Sequence, residues 1–162
     1  CHTIEHYLDI VAYARQANPG LEISTDLIVG FPTETDEDFA RTLDVLEQVR
    51  YSQVFSFMYS PRPGTRAAGF EDDVPRAVKE ERLQRVIAVQ ERINREQLDG
   101  YVGSTHEVLI DGVHPKHPTL WRGRTDGYRP VSFEAPGRAI GALVDVRITG
   151  WHGHWLEGAA CE

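Results

Sequence analysis

Cysteine is nearly missing from this chain. Two occur in 162 residues, Cys1 and Cys161, one at each end. They build neither a disulfide framework nor a Cys-x-x-Cys metal spacing. No apolar run approaches the ~20 residues of a membrane span, and no signal-peptide pattern is present. An initiator methionine is also absent, and Cys1 stands directly ahead of a helical pattern, so the sequence reads as a piece of a longer protein. There is no basic excess: 17 Lys and Arg face 25 Asp and Glu, a net charge of −8. Such a chain repels polyanions on average, so any nucleic-acid contact must be local. Repeats and low-complexity tracts are absent. His114, His117, His152, His154 and Cys161 lie at irregular spacings that do not make a zinc site.

What is present is organised around Ser24–Glu34. Leu27-Ile28-Val29 is a short apolar run bounded by turn residues, which reads as a buried strand of a parallel sheet. Gly30-Phe31-Pro32 breaks it, and Thr35-Asp36-Glu37-Asp38 is a helix start with acids in the first turn. A second apolar run, Val54–Tyr59, ends in Ser60-Pro61-Arg62-Pro63-Gly64-Thr65. In a parallel sheet both turns share one face, where α/β folds place their ligands. Ser24 and Asp26 fall on one side of the first strand. Such polar groups need partners if buried; otherwise the strand is an edge with a wet face. Arg62 suits a phosphate or carboxylate, and Glu34 suits hydrogen-bond donors or a helix start.

In chain order, the spacing predicts a helix over Thr3–Ala17, a strand over Glu22–Val29 and a helix over Asp36–Val49. A strand over Gln53–Tyr59 and a loop over Pro61–Val74 follow. From Pro75 to about Leu98 runs a long amphipathic helix with an apolar stripe at Leu83, Val86, Ile87, Val89, Ile93 and Leu98. Gly100-Tyr101-Val102-Gly103 reads as a hinge, dividing the chain into residues 1–103 and 104–162. Beyond it come five short alternating runs: His106–Ile110, Leu120–Thr125, Pro130–Phe133, Leu143–Thr149 and Trp155–Ala159. Their turn-punctuated spacing suggests a small β-barrel. Residues 1–103 carry most of the negative charge, net −7, against −1 for the remainder. Lys116, Arg122, Arg124 and Arg129 form a local basic set there. They interleave with Trp121, Tyr128 and Phe133, as suits base stacking and phosphate pairing; the same aromatics would also serve as barrel core.

Ile28-Val29-Gly30-Phe31-Pro32-Thr33-Glu34-Thr35 together with Tyr59-Ser60-Pro61-Arg62-Pro63-Gly64-Thr65 resembles the radical-SAM methylthiotransferases. Arg62, Asp73-Val74-Pro75, Lys79–Leu83 and Gly123-Arg124-Thr125 are similar to the branch that modifies tRNA isopentenyladenosine. The branch acting on a ribosomal protein has an acid at the position of Arg62. The likeness spans nearly the whole chain. One departure is Thr33, where the family has Gly.

The resemblance implies α/β plus β architecture: the C-terminal part of a partial (β/α) TIM-type radical-SAM barrel, then a five-stranded TRAM-like RNA-binding barrel. It implies a cytoplasmic enzyme with S-adenosylmethionine and two 4Fe–4S clusters, a tRNA anticodon stem-loop as partner and a sulfur donor system. Ser24, Asp26, Gly30, Pro32, Glu34 and Arg62 would hold the S-adenosylmethionine, and Lys116, Arg122, Arg124 and Arg129 the RNA. The cluster-binding Cys-x-x-x-Cys-x-x-Cys loop is not in this sequence, so this piece alone would be silent. Two readings stay beside it: the threonylcarbamoyladenosine branch, and a non-catalytic RNA-binding module. The strand Glu22–Val29, lacking Lys or Pro to blunt it, would also expose an edge through which copies of the chain could pair.

Overall fold

Alternation along two short strands decides how the first part of the chain is built. The computed structural model describes residues 3–161, so Cys1 lies outside the described residues. The described chain forms two units. One holds the chain through Pro19 together with Ile23–Asn94; the other holds Gly20–Glu22 and the chain from Arg95 onward.

In the first unit α1 (Ile4–Ala17) is capped by Thr3, whose side chain accepts the His6 N–H at 3.3 Å. Strand β1 (Ser24–Val29) pairs in parallel with β2 (Gln53–Met58), Ser24 opposite Gln53 through Val29 opposite Met58. A parallel pair needs a crossover, supplied by α2 (Asp36–Val49). Thr35 sets where α2 begins: its hydroxyl receives the Asp38 N–H while Asp38 receives the Thr35 N–H. The Thr35 hydroxyl, which also donates to the Asp38 carboxylate at 2.7 Å, then the Thr35 N–H and Arg41, hold that carboxyl down to about 2 from the usual 3.8. Arg66–Gly69 forms one 3₁₀ turn within the expected loop, and α3 (Arg76–Tyr101) follows.

Val29, Phe39, Leu46, Val49, Val86 and Ile93 make the core of this unit. Its strands are not buried on both sides, which corrects the reading of β1 as a fully buried strand. Thr25, Leu27 and Val29 turn inward, while Ser24, Asp26 and Ile28 lie on the other, exposed face. Phe55 and Phe57 of β2 join them there; Ile28 and Phe57 are each 54% exposed. The helices cover one face, and among the described residues nothing covers the other. The free edge of β1 likewise has no partner strand among the described residues.

The second unit is a closed barrel of β3 (Thr105–Val113), β4 (Trp121–Thr125), β5 (Pro130–Glu134), β6 (Leu143–His152) and β7 (Trp155–Ala160). Its spatial order is β3-β4-β5-β7-β6, with β5 and β7 parallel and the other neighbours antiparallel. Val108, Ile110, Val131, Phe133, Val146, Ile148 and Leu156 fill the interior, with Leu98 from the end of α3. Closing so few strands brings backbones close. At Gly123 a Cβ would lie 2.6 Å from the Leu109 carbonyl oxygen and 2.5 Å from a Val108 methyl, so no larger residue fits. Register shifts at Ile110/Gly112 and Ile148/Gly150 add the bends that let β3 and β6 wrap.

Candidate functional site

In the first unit, the turns after β1 and β2 meet because both strands run the same way. Two cations on α3 hold them. Gly30 takes φ +69, a left-handed conformation, and a Cβ there would lie 2.3 Å from Lys79 Cγ. Glycine at this position is thus required by the lysine stem behind it and by the backbone angle. The Lys79 side chain is buried, ion-paired with Asp72 at 2.5 Å, its Nζ 5.2 Å from the centre of the Tyr59 ring. Phe31 packs edge-on against Tyr59, and the Tyr59 hydroxyl donates to the Ala67 carbonyl at 2.8 Å.

One helical turn on, Arg82 is 4% exposed. Its guanidinium donates to the Glu34 carboxylate and to Asp36, each at 2.7 Å, and to the Glu34 carbonyl at 3.1 Å. The same Glu34 oxygen accepts the Gly30 N–H at 2.7 Å. Glu34 is therefore engaged within the turn. Thr33 sits at φ +72, its N–H held by Asp73 at 2.8 Å. A left-handed angle explains why glycine suits this position.

Of the residues expected at a cofactor, Gly30, Pro32 and Glu34 belong to the frame of this turn; Gly30 and Pro32 are buried. Ser24, Asp26 and Arg62 remain exposed polar groups. Lys79 and Arg82 are what the sequence reading missed as site-builders. Their signal was two cations three apart on a helix whose neighbouring positions turn inward.

In the second unit the basic residues divide. Arg122 Nε donates to Asp111 at 2.5 Å, and Arg124 Nε lies 3.3 Å from the other Asp111 oxygen. Arg124 also stands 4.1 Å from the centre of the Tyr128 ring. Lys116 is exposed in the β3–β4 connection, where His114 and His117 stack at 5.1 Å and His114 meets Trp155 edge-on. Arg129 lies apart from these. It is 8% exposed, its Nε 3.1 Å from Glu22 Oε1, its Nη2 2.9 Å from Glu22 Oε2 and 2.6 Å from Gln97. Tyr101 donates to the same Glu22 at 2.8 Å, and burial followed by that bond pushes its hydroxyl up to about 12. Glu22 and Gln97 thus engage this guanidinium within the unit, whereas Arg122 and Arg124 reach the surface.

Residues 99–160 match the TRAM domain family. Over 158 residues the chain is 46% identical to the tRNA-2-methylthio-N(6)-dimethylallyladenosine synthase of Acetivibrio thermocellus, covering 98% of this chain and 33% of that protein. It is 44% identical over 145 residues to the synthase of the same name from Bacillus pumilus, covering 90% and 28%. With that of Ralstonia pickettii it shares 42% over 168 residues, covering 99% and 37%. The chain belongs to this methylthiotransferase family. It spans about a third of the length of the relatives it matches. Among the described residues, no three or more His, Cys, Asp or Glu gather where they could hold a metal ion. No described helix is long and apolar enough to cross a membrane.

The Arg82 clamp makes a defined demand on stability. Replacing Arg82 by Ala strands the Glu34 carboxylate, whose side chain is only 11% exposed. Removing one partner of a buried pair costs about 3 kcal/mol or more. In urea unfolding of the full chain, Arg82→Ala is expected to lower the unfolding free energy by that amount, read as a lower midpoint at unchanged slope. Adding Glu34→Gln should recover part of the loss, because the stranded charge goes too. Simple additivity of the two changes would refute the clamp.

Proposed function

We propose that this chain is part of a tRNA methylthiotransferase that acts on isopentenyladenosine beside the anticodon, with the β-barrel of residues 104–162 gripping the RNA. The observation that carries the reading is 46% identity, over 98% of the chain, to a synthase named for that product. The TRAM match across the barrel supports RNA handling. Residues 1–103 would be the C-terminal part of a partial (β/α) radical-SAM barrel: a parallel strand pair with a helix between fits its last units. The open face carrying Ser24, Asp26, Ile28, Phe55 and Phe57 would be its interior.

Ser24, Asp26 and Arg62 suit S-adenosylmethionine in their chemistry. A carboxylate accepts from an ammonium or ribose hydroxyl, and a guanidinium grips a carboxylate in two bonds. Beside a reduced cluster, that cofactor supplies a radical. The clusters themselves do not fit the described residues, since iron–sulfur centres need several thiolates and Cys161 is the only described thiol. Their ligands would come from elsewhere in the parent protein, as would the site that receives sulfur from a donor system. The parent would work in the cytoplasm.

Nucleoside mass spectrometry of tRNA from cells lacking the parent gene tests the activity. The 2-methylthio mark on isopentenyladenosine should vanish; loss from threonylcarbamoyladenosine instead would reassign the branch, and no loss would leave only an RNA-binding module.

The barrel should bind an anticodon stem-loop through Arg122, Arg124 and Lys116. Arg124→Ala should weaken binding and flatten the salt dependence by about one unit of log–log slope. Arg129→Ala should leave the slope alone and lower the thermal midpoint instead. The opposite pattern would mean that Arg129, not Arg124, meets phosphate.

The open face and the free edge of β1 also favour pairing between copies of the isolated chain. A standard interface buries roughly 800 Å² per partner. Light scattering coupled to size exclusion should detect a dimer at high concentration. A monomer with slow amide exchange across Ile23–Val29 would rule this out.

A further inference from the structure

The connection from β4 to β5 carries an aromatic residue that the turn itself does not need. Tyr128 N–H donates to the Thr125 carbonyl at 2.9 Å, Thr125 N–H donates to the Arg129 carbonyl at 3.1 Å, and the Thr125 hydroxyl accepts the Arg129 N–H at 3.1 Å, so the turn closes without the Tyr128 side chain. Tyr128 sits in it at φ +67. Residues with a Cβ avoid this conformation, whereas Gly or Asn adopt it readily. A large ring here therefore works against the turn. Such strained positions concentrate where a side chain has a task.

The ring is 71% exposed. One of its faces is occupied by Arg124, 4.1 Å from the ring centre. That guanidinium is held from two more directions. Nη1 donates to the Tyr128 carbonyl at 3.3 Å, and Nε lies 3.3 Å from Asp111. Asp111 also accepts from Arg122, so two guanidinium groups and the ring are set as one piece. The opposite face of the ring meets solvent. A rigid aromatic face backed and flanked by guanidinium groups matches one chemistry well. An unpaired base stacks on the ring while its phosphates meet the arginines.

We propose that Tyr128 is a stacking platform for an unpaired RNA base, positioned by Arg124 and Asp111. This rests on the reading of the barrel as RNA-binding and names where on it a base would lie.

The test uses the full chain and an RNA stem-loop with an unpaired, adenosine-rich loop, followed by fluorescence anisotropy across a salt series. Tyr128→Phe should keep nearly all affinity. Tyr128→Leu and Tyr128→Gly should lose about five- to a hundredfold, the range of one stacked base, with the salt slope unchanged because no charge is removed. Tyr128→Gly should hold or raise the thermal midpoint, since it relieves the left-handed strain, so its loss of binding is not unfolding. A Leu variant that binds as tightly as the parent overturns the platform and leaves RNA binding by the barrel intact. A Phe variant as weak as Leu overturns stacking in favour of a hydroxyl contact. Failure of the parent chain to bind any stem-loop overturns both readings.

Discussion

A buried guanidinium cannot be left without acceptors, and in the first unit that constraint governs the turn after β1. Arg82 comes from α3 with its side chain nearly out of solvent. Its donors must be met locally, because the desolvation cost of a bare cation is several kcal/mol. The Glu34 carboxylate, the Glu34 carbonyl and Asp36 meet them. Glu34 then has an oxygen to share with the Gly30 N–H, which draws the chain into a tight bend just past the strand. Lys79, one turn earlier on α3, fills the space a Gly30 side chain would need. The bend, the glycine and the two cations are thus one requirement seen from different residues. It leaves the backbone of this turn fixed and the outward polar groups of β1 free for other work.

Much of the architecture was legible in the sequence because it rests on local chemistry. The helix Asp36–Val49 was readable to the residue, since Thr35 and three acids mark its start and Phe39, Leu46 and Val49 its inward face. The five short strands of the barrel were readable from alternation. Their lengths were not. Asp111-Gly112 reads as a turn, yet β3 runs on to Val113 because a bulge absorbs the irregularity while pairing continues with Trp121 and Arg122. Leu143–Thr149 extends to His152 past a second bulge in the same way. The 3₁₀ turn Arg66–Gly69 is four residues long, too short to leave a period. Nor could a run such as Leu27-Ile28-Val29 tell a strand buried on both faces from one buried on a single face.

The candidate site was legible in residue type and illegible in pairing. Arg122, Arg124 and Arg129 look alike in sequence, and a basic count treats them equally. Glu22 separates them. It lies 107 residues before Arg129, and nothing local announces that the two will meet. Once they do, Arg129 stands inside the unit, donating also to Gln97, while Tyr101 donates to the same acid. Arg122 and Arg124 share Asp111 at the surface and keep part of each guanidinium toward solvent. A long-range carboxylate thus separates one enclosed arginine from two that reach the surface. The same limit applied to Glu34. Its carboxylate meets Arg82 from 48 residues away, a pairing that nothing local announces.

Among the described residues, three other than glycine hold left-handed backbone angles: Thr33, Arg50 and Tyr128. Each needs something to offset the strain. At Arg50 the reason lies in the helix it ends, where its N–H returns to the Leu46 carbonyl at 2.8 Å in the manner of a C-terminal cap. At Thr33 the N–H is captured by Asp73 across a separation of 40 residues, so the strained residue ties one turn to another. Neither account transfers to Tyr128. Its backbone bonds are those any residue could make, and glycine would make them with less strain. What distinguishes it is the side chain, a ring laid over Arg124 with its outer face exposed. An exposed cation–π pair contributes about 0.5–1 kcal/mol, comparable with the strain of a single left-handed residue. The pair therefore roughly offsets the conformation without creating a net reason for it. In the unbound state the ring thus adds little to the surface, and the proposed stacking on a base is the contact that would give it a use.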